Sequence, residues 1–259
     1  MDMLVQRFVA GDVKRIFVNP ALGCRSSCSY CYLGDEGFSL GSKPELCATG
    51  SKIIELVENS GMFEEGRDGS IISIGCFSEC WDTENIEVTK EIILHFITKG
   101  NPIQLATKRC VRPEQVQGIV PLIQWNGQLG IFVSTASVSQ WKKYEAGTTN
   151  PNLRFRYIDN ISNWGIVSYI YIKPVIEGVT IKDVNFYVDI AKEKKCDVVV
   201  GSIFNNDSAS GKLSPIPSVS GLYVNSSRDE EEIVKSFEGV SRVFRSSVDA
   251  VEFWRITNE

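Results

Sequence analysis

Six short runs rich in β-branched residues recur along this chain, with helical periodicity between most of them. The runs are Arg15–Val18, Ile71–Ile74, Ile103–Thr107, Leu129–Ser134, Ile166–Ile172 and Asp197–Ser202. Strands that alternate with helices point to parallel strands joined by crossover helices, an α/β fold. Helices are expected over about Pro44 to Glu58, Ile86 to Thr98 and Asn152 to Trp164, and a fourth is marked by Val184, Tyr187, Val188 and Ala191. In the third, Leu153, Tyr157, Ile158, Ile161 and Trp164 form the expected buried stripe, and Gly165 follows as a C-terminal cap. Six β/α repeats fall short of a closed eight-stranded barrel. The stretch from Asn205 to Arg228, rich in Ser, Pro and Gly, lacks periodicity and reads as a long loop, either a substrate-covering lid or a surface segment. A helix with Ile233, Val234, Phe237 and Phe244, then a strand over 251–256, are expected to complete the chain. Residues 1–204 thus form the expected core, and 205–259 an extension packed on it rather than a second domain.

With 259 residues, 43% hydrophobic and 23% charged, the composition is that of an ordinary globular protein with one large core. No apolar run approaches the ~20 residues that span a membrane, and the first residues lack a signal peptide's apolar stretch, so a cytoplasmic protein is expected. A net charge of −5 supplies no global field to attract a polyanion. The single histidine, His95, sits in a helical pattern with Ile92, Ile93, Phe96 and Ile97. Histidine-rich metal sites are excluded, and imidazole-dependent hydrolysis would have only this helix-surface residue to use. The eight cysteines are expected as free thiols, with Cys47 and Cys196 as small apolar side chains.

Three of those cysteines are concentrated. Cys24, Cys28 and Cys31 form a C-x3-C-x2-C run, and soft thiolates so spaced select iron–sulfur clusters, zinc or copper(I). Three ligands where a closed site needs four leave one metal position open to another molecule, as in catalytic rather than structural centres. The alternative is a zinc-binding interaction module completed by Cys76 or Cys80.

The spacing, with Tyr30 just before the third cysteine, resembles the signature of the radical S-adenosylmethionine (radical SAM) superfamily. That resemblance implies a six-stranded partial (β/α)6 barrel and a [4Fe–4S] cluster on Cys24, Cys28 and Cys31, with S-adenosylmethionine on its fourth iron. It implies reductive cleavage to a 5′-deoxyadenosyl radical that abstracts hydrogen from a substrate, with a donor such as flavodoxin or ferredoxin supplying the electron. From about Phe17 to Ile203 the chain is further similar to the spore photoproduct lyase branch. The matching pieces are Cys28-Ser29-Tyr30-Cys31-Tyr32-Leu33, Cys76-Phe77-Ser78, Thr107-Lys108, Val133-Ser134, and Tyr144 to Thr149 followed by Arg154. Carried over residue by residue, the resemblance implies that Ser78, Lys108 and Ser134, with Tyr30, help hold S-adenosylmethionine. It implies that Cys76 donates hydrogen to a product radical, and that Tyr30 and Tyr32 belong to the same relay.

The departures concern the substrate. Only 23 residues precede the first cysteine, fewer than expected of the lyase, and 27 basic against 32 acidic residues give no support for a DNA-binding surface. Residues that would wedge a damaged base out of a duplex are not identifiable. The expectation is a radical SAM enzyme acting on an unassigned small molecule, nucleic acid or peptide, with DNA-lesion repair of the spore photoproduct type as the alternative. Cys80 and Glu177 have no matched role; Cys80 could pair with Cys76 as a redox couple, join a metal site, or do neither.

Overall fold

A computed structural model of the chain describes residues 5–205, 213–215 and 223–257. Its centre is an open sheet of eight strands, whose spatial order follows chain order: β1 (Val9–Gly11), β2 (Arg15–Val18), β3 (Ile71–Ile74), β4 (Ile103–Thr107), β5 (Leu129–Thr135), β6 (Val167–Ile172), β7 (Asp197–Val200) and β8 (Val243–Phe244). From β2 to β8 every neighbouring pair is parallel, and only β1 runs antiparallel, against β2. The six expected strands are all present. The two added edge strands are two or three residues long, too short to leave a period in the sequence.

Alternation along the strands divides the sheet into two chemically different faces. Ile16, Val18, Ile72, Ile74, Ile103, Leu105, Ile131, Val133, Ile170 and Ile172 point one way and form the main core. Helices α1 (Gly50–Glu58), α2 (Ile86–Thr98) and α3 (Val184–Lys194) cover it with Ile53, Val57, Ile92, Ile93, Phe96, Ile97, Tyr187 and Ala191. Each such aliphatic side chain contributes about 1.5–3 kcal/mol by leaving water. The other face carries Arg15, Phe17, Ser73, Gln104, Phe132, Ser134 and Tyr171, which line a cavity. Part of that face is closed by helix α4 (Ser247–Thr257), whose Ala250 and Val251 pack with Ile71, Phe132, Tyr169, Tyr171, Val199 and Phe244. Phe132 and Tyr169 stack there at 4.5 Å between ring centroids.

Several elements differ from the sequence expectations. Helix α1 begins at Gly50, where Thr49 Oγ1 accepts from the Lys52 amide; upstream, Leu46–Cys47 pairs with Ala21–Leu22, which leaves Cys47 exposed. The expected helix over 152–164 is broken into Pro151–Arg154 and Ile158–Ser162. Arg154, the last residue of the first segment, and Phe155 after it are buried, whereas Leu153 stays exposed. The expected strand at 251–256 is helical and belongs to α4: Ser247, Ala250 and Val251 are buried at helical spacing, which outweighs the β propensity of Val, Phe, Trp and Ile. The helix expected to reach Phe244 spans Glu230–Lys235, and Phe244 lies on β8. Where the loop was expected from Asn205 to Arg228, Ile203–Asn205, Tyr223–Asn225 and Leu213–Pro215 form a small antiparallel sheet, and 206–212 and 216–222 lie outside the described residues. Among the described residues no helix is long and apolar enough to cross a membrane.

Docking of α4 depends on Gly127, where φ is +88° and a Cβ would stand 2.6 Å from Trp254 Cβ. Gly127→Ala is expected to destabilise the protein by about 1–3 kcal/mol, read as a lower urea midpoint. An unchanged midpoint would contradict this seating of the helix.

Candidate active site

The cysteine stretch is held by backbone on both sides. Ser27–Cys28 pairs antiparallel with Glu145–Ala146, Cys28 opposite Glu145, and the Ser29 amide donates to the Tyr144 carbonyl at 3.0 Å. On the other side the Cys24 amide donates to the Ser39 carbonyl and the Gly41 amide to the Cys24 carbonyl, both at 2.9 Å. The Gly23 amide reaches the Phe77 carbonyl at 2.9 Å, tying this loop to the one after β3. Gly147, at φ +80°, lets the 145–149 turn close on the loop; a Cβ there would stand 3.1 Å from Ser26 Cα.

Behind the loop lies a buried ion pair. Glu145 and Arg154 have no exposed side-chain surface, and Arg154 Nη1 stands 2.7 Å from Glu145 Oε2. Arg154 Nη1 also donates to the Ser134 carbonyl and Nε to the Thr149 carbonyl, both at 2.6 Å. Glu145 Oε1 accepts from the Tyr30 hydroxyl at 2.6 Å and from the Ala136 amide at 2.9 Å. Lys108 Nζ is 3.7 Å from Glu145 Oε1 and donates to Ser134 Oγ at 2.6 Å, and Ser134 Oγ donates on to the Lys173 carbonyl at 3.0 Å. A charge pair removed from water is tolerated only when its remaining donors and acceptors are satisfied, and here they are satisfied by the ends of several separate segments.

Tyr30, Lys108, Ser134 and Lys173, the groups around this ion pair, border one cavity of about 520 Å³, and the pair itself lies behind its wall. Cys24, Cys28, Cys31, Tyr30, Tyr32, Cys76, Ser78, Lys108 and Ser134, the residues that the resemblance assigned to catalysis, cofactor or cluster, line the cavity. The Tyr32 hydroxyl donates to the Cys76 carbonyl at 2.6 Å, which fixes the ring against the strand end that carries the thiol. Ser78 Oγ is buried with no hydrogen-bond partner among the described residues, an orphaned hydroxyl that a bound ligand would satisfy. Glu79, unremarked in the sequence, is buried beside it; it accepts from Thr107 Oγ1 at 2.5 Å and from the Lys108 amide at 2.8 Å, and so joins the ends of β3 and β4. Cys80 is placed elsewhere: fully buried in the main core, its thiol donates to the Ala106 carbonyl at 3.6 Å. All eight cysteines are free thiols, so Cys76 and Cys80 form no disulfide. His95 lies on α2, 2.9 Å from Glu58, and Glu177 stands exposed, 3.9 Å from Arg228.

Burial raises all three loop thiols. Burial pushes the Cys28 thiol up to about 12; Lys108 opposes the shift, and Glu145, Cys31 and Cys24 add to it. Cys24 and Cys31 are raised mainly by burial as well, and the Ser26 amide donates to Cys24 Sγ at 3.4 Å. Among the described residues no group of three or more His, Cys, Asp or Glu side chains is gathered for a single metal ion. The donor set fits an iron–sulfur cube, whose ligands bind separate irons: three soft thiols on one loop facing one cavity, hydrogen-bond donors at sulfur, and an orphaned hydroxyl opposite. Burial and then the Glu145 charge hold the Tyr30 phenol protonated, and burial and then Cys76 do the same for Tyr32. Cys76 is raised by burial, opposed by Arg15 and Lys173.

No protein-family model and no curated protein matches the sequence. Solved structures do. Spore photoproduct lyase complexed with dinucleoside spore photoproduct superposes at TM-score 0.60 with 16% identity, over 87% of this chain and 75% of the lyase chain. A mutant of that lyase with bound S-adenosylmethionine and dinucleoside spore photoproduct gives 0.58 and 17%, over 89% and 76%. SuiB of Streptococcus suis bound to S-adenosylmethionine gives 0.58 and 11%, over 93% of this chain and 52% of SuiB. The chain has the fold of radical SAM enzymes. Its largely parallel sheet is the shared element; the observed sheet has eight strands rather than the six expected.

Glu145→Gln would leave the Arg154 guanidinium buried without its charge partner and is expected to cost about 3–5 kcal/mol in urea unfolding. Glu145→Gln combined with Arg154→Met should recover part of that loss; equal losses in the single and double variants would contradict the pairing.

Lys173 generates a pH dependence. Burial, and then the charge of Arg15, lower it from 10.5 to about 7, while Cys76 and Glu230 oppose the shift and its Nζ stands 5.8 Å from the Tyr171 ring centroid. Because the unfolded chain holds this proton more tightly, the destabilisation is fully present below about pH 7 and is relieved as pH rises from about 7 to 10.5. Lys173→Met should flatten this rise in urea-unfolding free energy; a profile parallel to wild type would contradict the assignment.

Proposed function

We propose that this protein is a radical SAM enzyme that abstracts hydrogen from a substrate held in the cavity beside Cys76. When bound, a [4Fe–4S] cluster and S-adenosylmethionine would supply one-electron cleavage of the sulfonium and a 5′-deoxyadenosyl radical, with flavodoxin or ferredoxin as the class of electron donor. The observation that carries the reading is the convergence of Cys24, Cys28, Cys31, Cys76, Ser78, Lys108 and Ser134 on one cavity wall system in a chain with this fold.

The chain's own residues have distinct tasks in this reading. Cys24, Cys28 and Cys31 would hold the cluster as thiolates, and because burial raises all three thiols, loading would be pH-dependent. The Ser78 hydroxyl is available to a polar group of S-adenosylmethionine. Lys108, set by Ser134 and Glu145, offers an ammonium for a charge-assisted hydrogen bond. Cys76, kept protonated by burial, retains the S–H bond a hydrogen donor needs. Tyr32 steadies the Cys76 backbone, and Tyr30 tethers the cysteine loop to Glu145. A zinc module closed by Cys80 lacks support, because that thiol faces the core.

Anaerobic reconstitution with iron and sulfide, then dithionite and S-adenosylmethionine, should yield 5′-deoxyadenosine. Alanine at Cys24, Cys28 or Cys31 should abolish it, and Cys76→Ala should preserve it. No 5′-deoxyadenosine from the wild-type protein would overturn the reading. DNA-lesion repair is the second reading, favoured by the fold neighbour solved with dinucleoside spore photoproduct. Failure to convert that dinucleoside while 5′-deoxyadenosine forms would remove it.

A further inference from the structure

A second ionic group meets the cysteine loop outside the cavity. The Asp82 side chain, 6% exposed, accepts from Arg109 Nη2 at 2.6 Å on Oδ2 and from Arg25 Nη1 at 3.2 Å on Oδ1. Asp82 stands on a fixed base: its carbonyl accepts from the Asn85 and Ile86 amides at 2.9 Å, where α2 starts, and Trp81 before it is buried in the main core. Arg109 follows β4. Its Nη1 donates to the Gly147 carbonyl at 2.7 Å and its Nη2 to Ser26 Oγ at 3.2 Å, and Ser26 Oγ donates on to the same carbonyl at 3.2 Å. Arg25, Ser26, Asp82 and Arg109 are all absent from the described residues that line the cavity, so contact with a ligand there does not account for them.

Their place in the sequence does. Arg25 and Ser26 lie between Cys24 and Cys28. The Ser26 N–H belongs to the planar peptide that joins these two residues, and it donates to Cys24 Sγ at 3.4 Å. Both flanking side chains are tied to one ion pair, Arg25 to the Asp82 carboxylate and Ser26 to the Arg109 guanidinium, and the Ser26 carbonyl accepts from the Gly41 amide at 3.1 Å. Held on both sides, the peptide has little freedom to turn its N–H away from the sulfur. Hydrogen bonds to sulfur are one of the levers that set an iron–sulfur potential, because each favours the more negative, reduced cluster.

We propose that Asp82 and Arg109 are positioning residues that hold the Ser26 amide on the Cys24 sulfur and so raise the reduction potential of the cluster. The tuning rests on the radical SAM reading; the grip is a property of the chain alone.

The test is a potentiometric titration, followed by electron paramagnetic resonance, of the reconstituted wild-type, Ser26→Ala and Asp82→Asn proteins. Both variants keep the Ser26 N–H and lose a hold on it. Both midpoints should fall, by about three- to tenfold in the reduction equilibrium, which is about 30–60 mV for one electron. The sign for Asp82→Asn is decisive, because removing a negative charge beside two guanidiniums would by itself raise the potential, whereas Ser26→Ala changes no charge. A rise in Asp82→Asn, or midpoints equal to wild type in both variants, would overturn the inference; Ser26→Ala carries the test if Asp82→Asn does not fold. Hydrogen exchange of the Ser26 amide, read by NMR on the iron-free full chain, tests the grip directly: exchange about tenfold faster in both variants supports it, and unchanged exchange contradicts it. Cluster assembly with unmoved midpoints removes the inference alone. A wild-type chain that takes up no cluster removes the radical SAM reading and the tuning with it, and the exchange rates then judge the grip.

Discussion

The ion pair of Glu145 and Arg154 holds the cavity together because its satisfied partners belong to elements that otherwise have no reason to meet. Through Tyr30 it holds the cysteine loop, through the Ser134 carbonyl and Ala136 amide it holds the end of β5, and through Thr149 it holds the turn that pairs with Cys28. Lys108 is positioned by the same carboxylate and by Ser134. Strand ends and loops carry backbone donors and acceptors that a dry interior cannot leave unpaired, and a single bifurcating carboxylate–guanidinium unit satisfies many at once. Arg154 is the last residue of the first of two short helical segments, Pro151–Arg154 and Ile158–Ser162, and is buried there against Glu145.

The sheet supplies the rest of the geometry by alternation. Its outward residues are almost all Ile, Leu and Val and bind the helices, whereas its inward residues include Arg15, Ser73, Gln104 and Ser134, which no purely apolar core would hold. Helix α4 shields one part of this inner face with apolar contacts and leaves the remainder as the cavity. The cavity thus has a soft, thiol-rich wall at the cysteine loop, and Arg15, Lys108 and Lys173 line it as well. A chain with net charge −5 concentrates positive charge where a ligand would sit.

Much of this was legible in the sequence, for physical reasons. Buried parallel strands must be β-branched and apolar, so the six long ones were visible, and α2 matched its bounds because its apolar stripe is complete. The cysteine spacing and the segments after β3, β4 and β5 marked residues that converge on one cavity. What stayed hidden was tertiary. The burial of Arg154, the partner of Glu145 and the inward turn of Arg15 depend on residues more than a strand away. The helical state of 247–257 was masked by β-branched and aromatic residues whose packing against Phe132, Tyr169 and Phe244 decides the outcome.

The central claim is that Cys24, Cys28 and Cys31 hold a cluster with one iron open to S-adenosylmethionine. Electron paramagnetic resonance of the reconstituted, reduced protein tests it most directly. The account predicts a [4Fe–4S] signal whose g-values shift when S-adenosylmethionine is added, and the loss of that signal with Cys28→Ala. A cluster signal unchanged by S-adenosylmethionine, or purified protein that carries zinc without iron and forms no cluster, would contradict it.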